Sequence, residues 1–449
     1  MGIRKQPAAL LLTVFLAVAL VMSACSNNGN GEKSNTEGST GQKGDNNGEN
    51  GEEQVTITFM SRETGDTPSA QFIKEVIAKF EEANPAIHIQ DDSIGDETAY
   101  LNKLKSSIAS GNPPHIFSYA GALSLLPYAK SGTIMDISPM LEDKEWADGF
   151  QPGLFDSFNL EAAGKPGIYS IPWSINYEPI FYNADLFQQA GVTKEPETWD
   201  ELLDAIAKLK SAGVTPWALG GKDSWRVGHI HTSIFYKLAG VEKAKEIGQR
   251  KAKWTDPEVE ATFQKLIELR EAGAFQENFE GVNYDSEKQL FGSGKAAMTL
   301  DGTWRTGDLP KDMNIKSFPF PYFSDKPEYK NNGVNYLAQW VLSGKMEGAE
   351  KDAAISFIKF LTNQENQQSL LDNYARLPII KNVDTSKLDE LTKDIIEDGA
   401  KVTVPGLDTF SYDPLPAIES ASKDALMGML LGKSPKDMTK QVQDVIDNS

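Results

Sequence analysis

The sequence predicts an α/β protein built from two lobes. Runs with strand periodicity alternate with runs of helical periodicity, and only the N-terminus carries a long apolar stretch. The chain has 449 residues, whereas a single hydrophobic core stops growing at about 250–300 residues. Because the part from residue 55 onward alone exceeds that length, we expect it to divide into two lobes.

The first predicted lobe has the order β-α-β-α-β. The segment VTITFMS (55–61) alternates β-branched and polar residues, which is typical of a strand. A helix should begin at Pro68, since the apolar residues after it recur at 3.6-residue spacing. The pattern repeats with a strand at AIHIQ (86–90), a helix that ends at Gly111, and a strand at HIFSYA (115–120).

Further elements are predicted along the rest of the chain. Thr198 and Glu201 have the spacing of a capping box, and the apolar stripe that follows them ends at Gly213. The segment KAAMTL (295–300) predicts a short strand, and DAAISFIKFLTN predicts an amphipathic helix. The C-terminal stretch from Ile418 is predicted to be helical.

The N-terminus has the layout of a secretory signal peptide. Arg4 and Lys5 precede an apolar stretch over 8–22, and small residues follow it. That stretch is shorter than the ~20 residues that a comfortable membrane span requires. We therefore predict a signal peptide over 1–24, with a retained membrane helix as the alternative.

Cys25 is the only cysteine in the sequence, so it has no partner for a disulfide within the chain. The segment MSAC resembles the lipobox of bacterial lipoproteins, in which the cysteine receives a diacylglycerol and becomes the new N-terminus. Met22 stands where that motif usually has a branched aliphatic residue. The Gly-, Asn- and Ser-rich residues that follow cannot bury enough surface to fold. We predict that 25–54 is a lipidated cysteine with a flexible tether.

Charge and motifs exclude several kinds of function. The net charge of −20 disfavours nucleic acid and anionic lipid surfaces as partners. His229 and His231 could ligate a metal from a strand, but no further ligands accompany them, and we predict no metal site and no cofactor. GSGK (292–295) fails as a phosphate loop, because Gln289 and Ala296 replace the required glycine and hydroxyl residue. The sequence has no GxSxG motif, so a serine hydrolase of that type is disfavoured, whereas a glycosidase with a pair of catalytic carboxylates is not excluded.

Six segments in order resemble family 1 extracellular solute-binding proteins of ABC importers, a group that includes maltodextrin-binding protein. They are FEEANPAIHI, LKSSIASGNPPHIF, YSIPWSINYEPIFYNADLFQQAGV, PETWDELLDAIAKLK, LFGSGKAAMTLDGTW and FIKFLTNQENQQ. One departure is His115, where the family commonly has aspartate. The resemblance implies an α/β, two-lobed, periplasmic-binding-protein-like fold with hinge strands crossing between the lobes. Lobe 1 would comprise 55–173 and 338–386, and lobe 2 would comprise 174–337 and 387–449.

The resemblance also implies a function. The segment IPWSIN would be a crossing strand at the floor of a cleft, and the closed form would be presented to an ABC permease. We therefore expect a monomeric, extracytoplasmic substrate-binding subunit that is held at the membrane by Cys25. Its ligand would be a carbohydrate, most simply an oligosaccharide, and it would not be an enzyme.

Sugar recognition requires aromatic rings against the C–H faces and planar polar groups against the hydroxyls. By the resemblance, Trp304 in DGTWR is the stacking platform, and Asp301 and Arg305 are hydroxyl partners. The other candidate ligand-binding residues are Arg62, Glu63, Tyr119, Trp173, Asn176, Trp225, Arg226 and Tyr412. Trp199 and Trp217 are assigned to structure, the first at a helix start and the second in a buried strand.

Two other functions are compatible with the sequence. The same fold could bind a polyamine, a metal chelate or a phosphodiester. A secreted polysaccharide-processing enzyme with its own carboxylate pair is the alternative from a different class.

Overall fold

The computed structural model describes residues 54–413 and 415–449. The predicted signal peptide, the lipidated Cys25 and the tether up to residue 53 lie outside the described residues.

Ten strands and fifteen α-helices alternate along the described part of the chain. The strands are β1 (Val55–Met60), β2 (Ile87–Asp91), β3 (Ile116–Ser118), β4 (Ile171–Tyr177), β5 (Ile180–Asn183), β6 (Thr215–Trp217), β7 (Ala296–Leu300), β8 (Ile315–Phe318), β9 (Asn332–Leu342) and β10 (Val404–Gly406). The helices are α1 (Pro68–Ala83), α2 (Glu97–Ala109), α3 (Leu126–Lys130), α4 (Lys144–Ala147), α5 (Ala184–Gln189), α6 (Trp199–Ser211), α7 (Trp225–Leu238), α8 (Gly240–Gly248), α9 (Pro257–Ala272), α10 (Tyr284–Gly292), α11 (Gly348–Leu361), α12 (Gln364–Tyr374), α13 (Glu390–Ala400), α14 (Pro416–Leu430) and α15 (Pro435–Asp447).

The first half of the molecule surrounds a sheet in the order β10-β9-β3-β1-β2, with β4 paired to β9. Strand β1 runs parallel to β2 and β3, while β9 runs antiparallel to β3 and β4. Phe59, Phe72 and Trp340 belong to the apolar core that covers this sheet. We call β1, β2 and β3 with the helices packed on them the first half; β10 pairs with the other end of β9, where Gly406 lies against Tyr236 of α7.

The second half surrounds a sheet in the order β6-β7-β5-β8. Strand β5 is antiparallel to β7 and β8, and β6 is parallel to β7. A large apolar core, which includes Trp199, Trp217 and Phe263, packs against it. The structural roles predicted for Trp199 and Trp217 are therefore confirmed.

Two strands connect the halves. In β4, Trp173 packs in the core of the first half, whereas Tyr177 packs with Phe181 of β5. In β9, Trp340 belongs to the core of the first half and Tyr336 packs against the core of the second. The prediction of a two-lobed fold with crossing strands is confirmed, while the exact lobe boundaries stay predictions.

Local predictions mostly match the structure. The Thr67 side chain accepts a hydrogen bond from the Ala70 amide at the start of α1, and Thr198 and Glu201 form the predicted capping box of α6. The strand predicted over 115–120 is shorter, at Ile116–Ser118. Among the described residues, the helices are all too short or too polar to span a bilayer.

Candidate functional site

Five ring side chains meet at the junction of the two halves. Trp225 begins α7, and its ring centroid lies 4.9 Å from the rings of both His229 and Tyr284. Trp304 lies 6.4 Å from Trp225 and 5.9 Å from Tyr336, which is carried by the crossing strand β9. These five residues are called the aromatic cluster below. Such a group offers apolar ring area together with polar edges.

The position of Trp304 is fixed by its own polypeptide segment. It lies in the 3₁₀ turn Thr303–Asp308 directly after β7, and its Nε1 donates to the Tyr284 hydroxyl at 2.8 Å. The indole ring lies directly over Gly302, where it occupies the space that a Cβ would need. The ring is half-buried, so part of its surface stays available.

Charged side chains beneath the aromatic cluster are paired with one another. Arg226 donates to both oxygens of Glu287, at 2.9 and 2.7 Å, and its Nη1 lies 3.4 Å from Asp301. The Nε of Arg305 lies 3.9 Å from Asp301 and 3.0 Å from Asp308. We call Arg226, Glu287, Asp301 and Arg305 the buried ion network. Each of its side chains is at most 5% exposed.

The electrostatics of this network are balanced. Burial raises the pKa of Asp301, and the charges of Arg226 and Arg305 oppose that rise. Burial alone would lower the pKa of Arg226, yet the adjacent Asp301 and Glu287 hold that pKa well above its usual range. The arginines therefore stay charged and support the aromatic cluster from below.

A second polar group adjoins the aromatic cluster through His229. Oε1 of Glu178 lies 2.6 Å from Nδ1 of His229, without the alignment of a hydrogen bond. Nε2 of His229 lies 3.6 Å from Asp408. Burial raises the pKa of Glu178 to about 8 and that of Asp408 to about 6, and burial lowers the pKa of His229. At neutral pH, Glu178 is therefore mainly a neutral acid beside a neutral imidazole.

The first half contributes polar groups without partners. The Arg376 guanidinium lies 5.1 Å from the ring of Trp173, and its Nε and Nη1 are buried without a hydrogen bond. Oδ1 of Asn176 on β4 and both amide atoms of Gln339 on β9 are buried and equally unpartnered. Unsatisfied buried groups of this kind are uncommon and call for an explanation.

The halves contact each other beside these groups. Gly307 of the second half lies against the Tyr374 carbonyl, and a Cβ on it would come within 2.9 Å of Pro68 in α1. Gly121 of the first half approaches Ser411 of the second, with 3.8 Å from its would-be Cβ to the hydroxyl oxygen. The aromatic cluster thus lies where the two halves meet.

The structure brings five of the predicted residues together: Trp225, Arg226, Asp301, Trp304 and Arg305. Of these, the two tryptophans have accessible surface, whereas the charged residues are buried and paired with one another. Their direct contact with a ligand stays a prediction.

The other predicted residues have different surroundings. Trp173 is 2% exposed and stacks with Trp340 at 5.3 Å, while Arg62 lies 3.4 Å from Glu97 on the surface. Tyr119 packs edge-on against Tyr128 at 6.2 Å, and Tyr412 accepts a hydrogen bond from the Leu407 amide at 2.9 Å. Glu63 is half-buried, and its amide donates to Ser61.

Sequence reasoning missed several members of the junction. They are Glu178, Tyr284, Glu287, Tyr336, Arg376 and Asp408. His229 and His231 were considered on a strand, which is wrong, because both lie in α7. His231 is buried against Thr262, at 2.9 Å. No group of three or more metal-ligating side chains occurs within residues 54–413 and 415–449.

Two α/β halves joined by crossing strands, with rings and unpartnered polar groups at their junction, define a two-lobed solute-binding protein. A family model described as bacterial extracellular solute-binding protein matches residues 64–368. The chain belongs to this family, and the predicted resemblance is confirmed. The family is one of binding proteins that act outside the cell.

Three similar proteins illustrate the range of solutes. The multiple sugar-binding protein of Streptococcus mutans is 25% identical over 358 residues, which are 76% of this chain and 80% of that protein. The sn-glycerol-3-phosphate-binding periplasmic protein UgpB of Brucella melitensis is 26% identical over 329 residues, or 69% and 71% of the two chains. The solved structure of a chitin oligosaccharide binding protein has a TM-score of 0.81 and 29% identity, and the match covers 88% of this chain and 99% of that one.

Proposed function

We propose that this protein binds an oligosaccharide between its two halves and delivers it to an ABC permease. The observation that carries the proposal is the aromatic cluster at the junction, seated on the buried ion network. Half-buried Trp304 and Trp225 offer ring surface to the C–H faces of sugar rings. The sugar-binding relatives support the same ligand class.

Ligand binding closes the two halves over the ligand, and the halves open again when the ligand is released. The contacts of Gly307 with Tyr374 and of Gly121 with Ser411 join the halves beside the cluster. A ligand that touches both halves favours this closed arrangement over an open one, which is the two-state behaviour that a permease can sense.

The test is a titration of the purified full-length protein with maltotriose, chitotriose, xylotriose and raffinose. Tryptophan emission and melting temperature should both respond to a ligand, and a ligand at about 100 times its dissociation constant should stabilise the protein by ~2.7 kcal/mol. Trp304→Ala should abolish the response. Tyr322→Ala is the control, because its ring contacts Lys330 and not the aromatic cluster. Silence toward every sugar would contradict the proposal.

A phosphorylated solute is the second candidate, and the similarity to a glycerol-3-phosphate-binding protein favours it. Titration with sn-glycerol 3-phosphate separates the two candidates, because a stacked sugar depends on Trp304 and a small phosphate ester does not. If the purified protein hydrolysed any of these glycans, its function would be catalysis and not binding alone. We expect no hydrolysis.

The membrane attachment is part of the same proposal. Cys25 carries the lipid, the tether of 25–54 holds the folded body at the outer face of the membrane, and the protein works as a monomer. Cys25→Ala should release the protein from the membrane fraction and remove palmitate labelling. Retention of the variant at the membrane would contradict a lipid anchor.

A further inference from the structure

Arg376 differs from the other buried arginines among the described residues. Arg226 and Arg305 are 2% and 4% exposed, and both are paired with carboxylates. Arg376 is equally buried, at 2%, yet its Nε and Nη1 make no hydrogen bond and no described carboxylate forms a salt bridge with it. A buried cation without a partner is costly, because burial removes its hydration without a replacement.

The backbone holds Arg376 firmly in this position. Ala375 ends α12 in the left-handed region, with φ of 50°, which is an uncommon conformation for a residue with a side chain. The Leu377 carbonyl accepts hydrogen bonds from the Ile175 amide at 2.9 Å and from the Ser174 hydroxyl at 3.1 Å. Arg376 is thus tied to the crossing strand β4 and held over the Trp173 ring.

Arg376 lies beside the aromatic cluster of the opposite half. Two residues before it, the Tyr374 carbonyl contacts Gly307 in the turn that carries Trp304. Burial lowers the pKa of Arg376, and the charge of Glu63 opposes that fall. The Gly307 contact and the position over the Trp173 ring place Arg376 at the junction of the halves.

We propose that Arg376 is a specificity-determining residue of the cleft and that it donates paired hydrogen bonds to adjacent hydroxyls of an oligosaccharide. This inference rests on the proposed function. The planar guanidinium presents several N–H groups in a fixed fork, which suits two neighbouring acceptor oxygens. A lysine ammonium keeps the charge and lacks that fork.

The test compares Arg376→Gln and Arg376→Lys with Arg270→Gln in the full-length protein. Arg270 is the matched control, because it donates to the Met429 and Leu430 carbonyls at the end of α14. The ligands are the four neutral sugars named above, with digalacturonate and sn-glycerol 3-phosphate as acidic counterparts. The melting temperature of each variant without ligand is measured alongside.

Arg376→Gln should lower the affinity for the neutral sugar that the wild type binds by about tenfold to a hundredfold, because a charge-assisted donor is lost. Arg376→Lys should not restore it. Without ligand, Arg376→Gln should melt at the wild-type temperature or above, since it removes a buried charge that had no partner. Arg270→Gln should leave binding unchanged.

Several outcomes would overturn this inference. If Arg376→Gln binds sugar with wild-type affinity, or if Arg376→Lys restores the affinity in full, Arg376 is not a paired donor, although the protein still binds sugar. A large fall in melting temperature of unliganded Arg376→Gln would make the residue a structural support. Tighter binding of an acidic compound that is lost in Arg376→Gln would assign the guanidinium to an anionic group and not to hydroxyls. If the wild type binds no compound of the panel, the proposed function fails first and this inference falls with it.

Discussion

The two halves of the molecule handle buried charge in opposite ways. In the second half, Arg226 is enclosed by Glu287 and Asp301, so that the adjacent rings rest on a charge-paired arginine. In the first half, Arg376 lies on the Trp173 ring with two of its nitrogens unpartnered. Among the described residues, the buried arginines of the second half therefore have carboxylate partners without a ligand, whereas the buried arginine of the first half has none.

The two halves therefore contribute differently to ligand binding: one provides a rigid ring surface, and the other provides hydrogen-bonding groups without partners. A rigid ring surface loses little entropy when a sugar stacks on it, because its position is settled before binding. Groups that lack partners gain most from a ligand, because only the ligand satisfies them. Changes in the second half should thus act mainly on stability, and changes in the first half mainly on affinity.

The largest expected effect is the loss of stability in Arg226→Gln. Removing the guanidinium leaves Glu287 and Asp301 buried with their main cation gone, and breaking a buried ion pair in this way costs about 3–5 kcal/mol. Urea unfolding of wild type and variant at neutral pH measures the difference. A loss below about 1 kcal/mol would show that Arg226 and Arg376 are energetically alike, and the contrast between the halves would be lost.

The second effect is a change in pH dependence in Glu178→Gln. The pKa of Glu178 is raised by burial from 4.5 to about 8, so the folded state holds a proton between these values that the unfolded chain has released. Through this group, stability falls as pH rises across that window, by about 1.4 kcal/mol per pH unit at most. Glutamine cannot ionise, so the variant should gain stability relative to wild type from pH 5 to pH 8.

The two buried histidines do not obscure this comparison. Burial lowers the pKa of His229, and lowers that of His231 to about 3, so their contribution is lost as pH falls below the unfolded value of 6.5. Both histidines are present in wild type and variant, so the difference between the two stability profiles reports Glu178 together with its influence on the pKa of the adjacent Asp408. Parallel stability profiles would mean that Glu178 is ionised in the folded protein at neutral pH.

The third effect concerns the ring surface itself. In Gly302→Ala, the new methyl group occupies the position of the Trp304 ring and pushes it away, which should cost about 1–3 kcal/mol and weaken sugar binding. Gly281→Ala is the matched control, because no atom lies within 4 Å of its Cβ position. Equal melting temperatures and equal affinities for both variants would show that the ring adapts freely.

The fold could be predicted because its local signals and its periodicity agree. The apolar spacing of α1 and the capping box of α6 are short-range patterns, and each is present where the sequence indicates it. His229 and His231 show the limit of such reasoning. The pattern H-I-H has strand alternation, yet the surrounding residues from Trp225 to Leu238 form a helix that the core of the second half buries.

The candidate site could be predicted only in part. Trp304 is recognisable because it follows a short apolar strand, whereas Tyr284, Tyr336 and Arg376 come from three distant segments. Nothing near them in the sequence indicates that they meet, since their proximity depends on the pairing of β4 with β9 and on the end of α12. The roles of Arg226 and Asp301 were open for the same reason, because only the fold reveals that they pair with Glu287 and Arg305.

The smallest expected effect on stability belongs to Arg62→Ala. Its side chain is 42% exposed and lies 3.4 Å from Glu97, itself 31% exposed, so solvent screens the pair and the loss should stay below about 1 kcal/mol. Lys79→Ala is the matched control, since its pair with Glu75 is similarly exposed. If sugar affinity falls in Arg62→Ala while stability stays unchanged, Arg62 belongs with Arg376 among the first-half residues that bind the ligand. If sugar affinity is unchanged in both variants, ligand binding is limited to residues of the buried junction, where water does not compete for the same hydrogen bonds.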